Sequence, residues 1–164
     1  MTSQLPDHSP LFIFPFSYEP EEGKKEKILS ACREFLSGWK AHSQPLSAIA
    51  WTEENRFLLI AADPALNLPG GCSKDKLFQF VSHLMKEAGF GEVPLHLFWV
   101  NSGEQTISIS KRELQEHLSS GTVLPDNPLF PTWISELGQF RNLWGKPISH
   151  FPALMPHQKA EIKI

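Results

Sequence analysis

The hydrophobic positions between residues 11 and 120 follow two different spacings, which predicts a mixture of strands and helices. Mostly apolar runs predict five strands, at residues 11–16, 46–52, 56–62, 94–101 and 106–109. The run at 56–62 is apolar on both faces, which is typical of a central strand that is covered on both sides.

Two amphipathic helices and one short helix are predicted between these strands. In the first, at residues 20–42, apolar side chains recur at helical spacing at Ile28, Cys32, Phe35, Leu36 and Trp39. The second runs over residues 73–88 and stops at Gly89. Ser110 and Glu113 have the spacing of a capping box, which predicts a short helix from 110 to about 118.

The order β-α-β-β-α-β of the first six elements predicts an α+β fold with a ferredoxin-like core. The expected arrangement is one antiparallel sheet of about five strands with the two main helices on one face. An extra strand and the short helix follow, and then six prolines after residue 124 predict an irregular C-terminal segment. The expected domains are a flexible N-terminus at 1–10, a single α+β domain at 11–151 and a tail at 152–164, frayed from Gln158.

Composition and charge exclude several classes of protein. The 164 residues carry a net charge of -3 with a sequence pI of about 6.2, which disfavours nucleic acid as a partner. No apolar run approaches the ~18 residues that cross a bilayer, and no secretory signal is visible. Two cysteines do not make a disulfide framework. The expectation is a cytoplasmic protein with no membrane partner.

The most unusual string, Leu68 to Lys76, joins an apolar strand to an amphipathic helix. Glycines at 70 and 71 let the backbone approach an anion, and the N–H groups of a helix start can bind it. The phosphate-binding pattern G-x-x-x-x-G-K-[ST] is absent, because Cys72 and Ser73 follow Gly71. The string therefore predicts a site for a small anion but not a nucleotide triphosphatase of that class.

The same string supports two other interpretations. A cysteine at a helix start has a stabilised thiolate, so Cys72 could be a nucleophile with His42 as its base; Lys74 and Lys76 would help and Asp75 would oppose. In a purely structural interpretation, Ser73 caps the helix, Asp75 is a first-turn acid and Cys72 is a small buried hydrophobe. No two histidines, and no histidine and cysteine, have the local spacing of metal ligands, so no metal and no cofactor is expected.

A resemblance adds weight to the same residues. It rests on the segments Trp39-Lys40-Ala41-His42, Arg56-Phe57-Leu58-Leu59-Ile60 and Gly71-Cys72-Ser73 with Asp75. These resemble a family of small uncharacterised bacterial proteins, common in Bacteroidetes, that is often labelled "ABC transporter ATPase". The similarity covers roughly residues 30–151.

The family's W-x-x-H-G-x-x-L motif matches at Trp39, His42 and Leu46 and departs at Ser43. Its Gly-Cys-Ser-Ile-Asp has Lys74 in place of isoleucine, and its late Ser-Trp is Ser149-His150 here. The ATPase label does not fit a chain without a phosphate-binding loop. The resemblance implies that Trp39, His42, Cys72, Ser73 and Asp75 belong to one site.

The leading expectation is a ligand-binding or interaction module, and the alternative is a thiol-dependent enzyme. The module would bind a small anionic ligand or a protein through Gly70, Gly71, Ser73, Asp75 and Trp39. The enzyme would use Cys72 and His42. A third class, a structural partner protein, would expose an apolar patch around Trp133 or Trp144. A homodimer formed through a sheet edge or face is a further expectation.

Overall fold

The structure, a computed structural model, describes residues 2–157. It contains both helices and antiparallel strands, which confirms the predicted α+β class. The strands are β1 (Leu11–Pro15), β2 (Lys40–Ala41), β3 (Gln44–Pro45), β4 (Ser47–Glu53), β5 (Phe57–Asp63), β6 (Phe98–Asn101), β7 (Thr106–Ile109), β8 (Pro128–Phe130) and β9 (Lys146–Pro147). The helices are α1 (Glu22–Ser37), α2 (Gly71–Glu87), α3 (Lys111–Ser120) and α4 (Leu137–Leu143).

Backbone contacts divide the chain into two compact units. The first unit is Met1–Pro94 with Trp133–Asn142, and the second is Leu95–Thr132 with Leu143–Ile164, of which residues 2–157 are described. The expectation of a single domain over 11–151 stays a prediction. The frayed end expected from Gln158 lies outside the described residues.

The sheet of the first unit has the order β1-β5-β4, with both pairings antiparallel. The central strand is β5, and its residues 57–62 are all buried, as the run of apolar residues on both faces predicts. Leu58, Ile60 and Ala62 alternate along β5 and join Ile28 of α1 and Val81 of α2 in one buried cluster. The two long helices therefore cover the same face of this sheet.

Helix α1 is shorter than the sequence predicts. It ends at Ser37, and the chain from Lys40 to Pro45 forms the β2–β3 hairpin instead of a further helical turn. Trp39 fits the helical spacing of the apolar residues but is buried beyond the helix end. The tertiary packing of its side chain has overridden the local pattern at this position.

The described part of the N-terminus is bonded to the α4 region. The Leu11 N–H donates to the Ser135 carbonyl over 2.9 Å, and the Gly138 N–H donates to the Asp7 carbonyl over 2.8 Å. The carboxylate of Asp7 also pairs with Arg141. These bonds hold the chain before β1, where the sequence predicts flexibility, against α4.

The sheet of the second unit has the order β7-β6-β8-β9. The single five-stranded sheet predicted from the sequence is therefore wrong, because β6 and β7 pair with each other and with β8 rather than with β1, β4 or β5. The ferredoxin-like arrangement is absent from residues 2–157 for the same reason. The proline-rich C-terminal segment, expected to be irregular, contains β8, α4 and β9.

Helix α3 begins as predicted. The Ser110 side chain accepts from the Glu113 N–H, and the Glu113 carboxylate accepts from the Ser110 N–H over 2.7 Å. The Ser110 N–H, which donates to the carboxylate, contributes most to lowering the pKa of Glu113, and the Ser110 side chain lowers it further. The capping box is complete in both directions, so it fixes the helix start that the sequence pattern indicates.

Candidate functional site

The β2–β3 hairpin turns through two residues in the left-handed region. His42 has a φ of 48° and Ser43 a φ of 65°. Two successive positive φ angles define the type I′ turn that short hairpins favour. Lys40, in β2, and His42, in the turn, are both exposed.

Helix α2 begins without a side-chain cap. Its first residue is Gly71, preceded by Gly70 in an extended conformation (φ -88°, ψ -177°). The first hydrogen bond of the helix runs from the Lys74 N–H to the Gly70 carbonyl over 2.9 Å. The N–H groups of Gly71, Cys72 and Ser73 precede that bond, and no side chain caps them.

Ser73 is not the N-cap that the sequence predicts. It lies inside the first turn, and its hydroxyl donates to the Gly70 carbonyl over 2.8 Å. The N-cap is Gly70, three residues before the predicted Ser73. Glycine has no capping side chain and therefore gives no sequence signal, but it adopts the extended N-cap conformation easily.

Trp39 and Ser73, both predicted to bind the ligand, are hydrogen-bonded to each other. The Trp39 indole N–H donates to the Ser73 carbonyl over 2.9 Å, and each residue is only 3% exposed. The Trp39 side chain is closed off from solvent, whereas Ser73 still lines the cavity at the start of α2. Both residues position the start of α2 relative to the hairpin.

A cavity of about 470 Å³ opens between the hairpin turn and the start of α2. Its lining consists of Lys40, Ala41, His42, Ser43, Gly70, Gly71, Cys72, Ser73 and Lys76. The His42 Nε2 atom would lie 3.6 Å from a Cβ built on Gly70, which places the imidazole against the glycine backbone. The structure therefore brings His42 and Cys72, 30 positions apart in the sequence, to one cavity.

The two cysteines have opposite environments. Cys72 is exposed, so its interpretation as a small buried hydrophobe is wrong. Cys32 is buried on the core face of α1, and desolvation raises the pKa of its thiol to about 11. Among the described cysteines, only Cys72 is open to a reagent or a ligand.

Asp75 does not belong to the cavity. It is exposed, it does not line the cavity, and it lies beyond the first turn of α2. The lining contains no carboxylate and has two lysines, Lys40 and Lys76. The sequence does not indicate Lys40 as a site residue, because the helical spacing predicts that residues 39–42 continue the helix. The His42-Ser43 pair also lacks the glycine or asparagine that usually signals a hairpin turn.

Three further features of the described residues concern metal ions, membranes and exposed tryptophans. Within residues 2–157 no group of three or more histidine, cysteine or acidic side chains could hold a metal ion. In that same range, no helix has the length and apolar character needed to span a bilayer. Trp133 is half exposed, whereas Trp144 is partly buried and its ring centroid lies 5.3 Å from that of Phe130.

Comparison with protein-family models, with curated proteins and with solved structures finds no match for this chain. The function proposed below therefore rests on the cavity at the start of α2.

Proposed function

We propose that this protein is a small binding module that holds an anionic ligand, carrying a phosphate or carboxylate group, at the start of α2. One observation carries the proposal. The uncapped N–H groups of residues 71–73, the ammonium groups of Lys40 and Lys76 and the imidazole of His42 meet around a single cavity without a carboxylate.

The electrostatics of the cavity favour a negative ligand. The N-terminus of a helix carries about half a positive elementary charge, from N–H groups that point away from the helix. Lys40 and Lys76 add two full positive charges at the rim. In a protein whose net charge is -3, this local excess of positive charge opposes the overall balance. A cation would find no acceptor side chain in the lining except the hydroxyls, the thiol and the imidazole.

The size of the cavity limits the ligand to a small molecule. About 470 Å³ lies within the range of ~300–1,000 Å³ in which small-molecule pockets fall. Gly70 and Gly71 let a ligand approach the main chain, since a Cβ on Gly71 would meet nothing within 4 Å. The hydroxyl of Ser73 already donates to the Gly70 carbonyl, so the main chain supplies the donors at this position.

A pair of substitutions at Gly71 tests the role of the main-chain donors. Gly71→Pro removes one N–H at a position where proline fits the first turn of a helix, and the extended Gly70 suits a residue before proline. Gly71→Ala keeps the N–H. Titration calorimetry with inorganic phosphate and with citrate should show at least about tenfold weaker binding for Gly71→Pro, the loss of a charge-assisted hydrogen bond.

Lys40→Ala and Lys76→Ala should each weaken binding relative to the wild type at low salt. Lys27→Ala should not, because Lys27 is exposed on α1 and does not line the cavity. Equal binding by Gly71→Pro and Gly71→Ala would contradict the proposal. Absence of heat with every phosphate and carboxylate tried on the wild type would also contradict it.

A thiol-dependent enzyme remains the second candidate function, because Cys72 is exposed and lines the same cavity as His42. In that role Cys72 is the nucleophile, His42 takes its proton, and the N–H groups at the start of α2 stabilise negative charge on the substrate. The alkylation rate of Cys72 as a function of pH separates the two functions. A His42→Ala variant whose rate profile shifts supports the enzyme; an unchanged profile leaves only the binding module.

The residues that carry the resemblance also support one shared site. Trp39, His42, Cys72 and Ser73 all lie at or directly behind this cavity, and Asp75 is the exception. We also propose that the chain belongs to that bacterial family and that the protein is cytoplasmic.

A further inference from the structure

The two edges of the first sheet differ. At the β1 edge, Pro10 bridges to Glu136, the Leu11 N–H is bonded to Ser135, and the strand ends in Pro15. At the opposite edge, β4 pairs only with β5 among the described strands. Its seven residues, Ser-Ala-Ile-Ala-Trp-Thr-Glu, contain no proline and no lysine.

Native proteins usually blunt an open edge with lysine, proline, a bulge or a covering segment, because its unpaired main-chain groups can bind another strand. Glu53, at the end of β4, is its one charged residue, and Pro45 lies two residues before the strand; residues 47–52 contain none of these devices. A groove of about 610 Å³ runs beside it, lined mostly by apolar side chains. One wall is the C-terminal part of α1, including Arg33 and Leu36, and Leu66, 70% exposed, lines the other end.

From this edge and groove we propose that β4 pairs antiparallel with β4 of a second copy of this chain. Pairing of a strand with itself about a two-fold axis is the isologous interface of most homodimers. The register that pairs all seven residues is centred on Ala50, so Ile49 lies opposite the partner's Trp51 and Ser47 lies opposite the partner's Glu53. No two like charges face each other in this register.

Charge complementarity favours a second copy over an unrelated strand. Helix α1 begins beside the turn between β4 and β5, because the Lys25 ammonium donates to the side-chain oxygen of Asn55, a residue of that turn, over 2.9 Å. Arg33 and Leu36 lie further along α1, beside Ser47 and Leu46 at the other end of β4.

In the antiparallel register, the turn of the second copy reaches this other end. The partner's Glu54, exposed in its turn, then comes opposite Leu46 and beside Arg33. Arg33 forms no salt bridge within residues 2–157, so its guanidinium is available to that carboxylate. The two-fold axis creates this pair twice, which doubles the effect of any substitution at either position.

The test is the oligomeric state of the full chain and of charge-reversal variants, measured by sedimentation equilibrium. The wild type should sediment with twice the mass of 18.5 kDa. Arg33→Glu and Glu54→Lys should each raise the dimer dissociation constant by at least about tenfold, because each places two like-charged pairs at the interface. The double variant should restore the wild-type constant to within about threefold, since the pair is rebuilt with its signs exchanged.

Lys27→Glu is the matched control, because it makes the same change of charge on an exposed position of α1 that does not line the groove. Circular dichroism checks that each variant is folded. A wild type that stays monomeric up to about 1 mM overturns the proposal and leaves the groove to an extended segment of another protein. A dimer that both single variants leave unchanged, or a double variant weaker than either single, overturns it as well.

Discussion

The indole N–H of Trp39 donates to the main-chain carbonyl of Ser73 over 2.9 Å, with both residues buried. This bond joins Trp39, two residues after the end of α1, to the first turn of α2, 34 positions away. This buried hydrogen bond therefore helps to fix the start of α2 relative to the β2–β3 hairpin, the two elements that line the cavity.

Replacing Trp39 with phenylalanine should lower the free energy of unfolding by about 1–2 kcal/mol, the cost of losing a buried hydrogen bond while most aromatic packing is kept. Urea unfolding measures the loss. Trp51→Phe is the control, because the Trp51 indole donates to the partly exposed carboxylate of Glu53 and water can replace it. Equal losses for the two variants would contradict the special role of Trp39.

The close approach of Gly138 to the N-terminal segment gives a second prediction. A Cβ on Gly138 would lie 2.8 Å from the Cβ of Asp7 and 3.1 Å from its carbonyl oxygen. That oxygen belongs to the main chain, so it can move only if the peptide group moves with it. Gly138→Ala should therefore cost about 1–3 kcal/mol of stability as an overpacked contact. Gly23→Ala, in α1 with nothing within 4 Å, should instead gain about 0.5–1 kcal/mol. A stabilising Gly138→Ala would show that the segment before β1 is not held as described.

The raised pKa of Cys32 predicts a dependence of stability on pH. The thiol titrates at about 11 in the fold and at its ordinary value of 9.0 when unfolded, so the folded state holds the proton more tightly. The stability that the fold gains by keeping this thiol protonated is fully present below pH 9. It is lost as the pH rises from 9 to about 11, and the loss is on the order of 3 kcal/mol. The wild type is compared with Cys32→Ala, so that the change with pH is assigned to this thiol.

The stability difference between these two proteins should be constant up to pH 9 and should then change in favour of Cys32→Ala. Urea unfolding at pH 8, 9, 10 and 11 measures it. The same burial predicts that iodoacetamide labels Cys72 but not Cys32 in the folded protein at pH 8. A pH-independent difference, or labelling of both thiols before unfolding, would be incompatible with a desolvated Cys32.

The hairpin turn predicts a stabilising substitution. Ser43 has a φ of 65°, a conformation in which a Cβ is strained and glycine is not. Ser43→Gly should raise the free energy of unfolding by about 0.5–1 kcal/mol, since relief of the strain outweighs the added freedom of the unfolded chain. Ser47→Gly, at a position in β4 that is also exposed, should lower it. Thermal unfolding of both variants decides the sign at each position.

Local pattern predicted much of the fold but not its pairings. The run 56–62 predicts a buried central strand because burial on both faces leaves a continuous apolar signature, and the capping box at Ser110 predicts a helix start because its partners are three residues apart. The partner of β6 is set by contacts with β8, about 30 positions later. No spacing within either strand encodes that choice, so the predicted five-stranded sheet was wrong.

The candidate site was predicted in the same uneven way. Glycines before an amphipathic helix pointed to exposed N–H groups, and the cavity lies there. The contributions of Lys40 and of the hairpin turn could not be predicted, since a type I′ turn at His42-Ser43 lacks its usual residues. The hydrogen bond of Trp39 could not be predicted either. An aromatic residue at helical spacing gives the same sequence pattern whether it extends α1 or packs against the start of α2.

The bonds between the chain before β1 and the α4 region have a consequence for synthesis. Asp7 and Leu11 leave the ribosome well before their hydrogen-bond partners, Gly138 and Ser135, which emerge after all of β6 to β8 has been made. The first unit therefore cannot complete its contacts while its own residues 2–94 are the only ones outside the exit tunnel. A nascent chain stalled before residue 133 should be cut by protease at its N-terminal residues, and one released beyond residue 142 should resist.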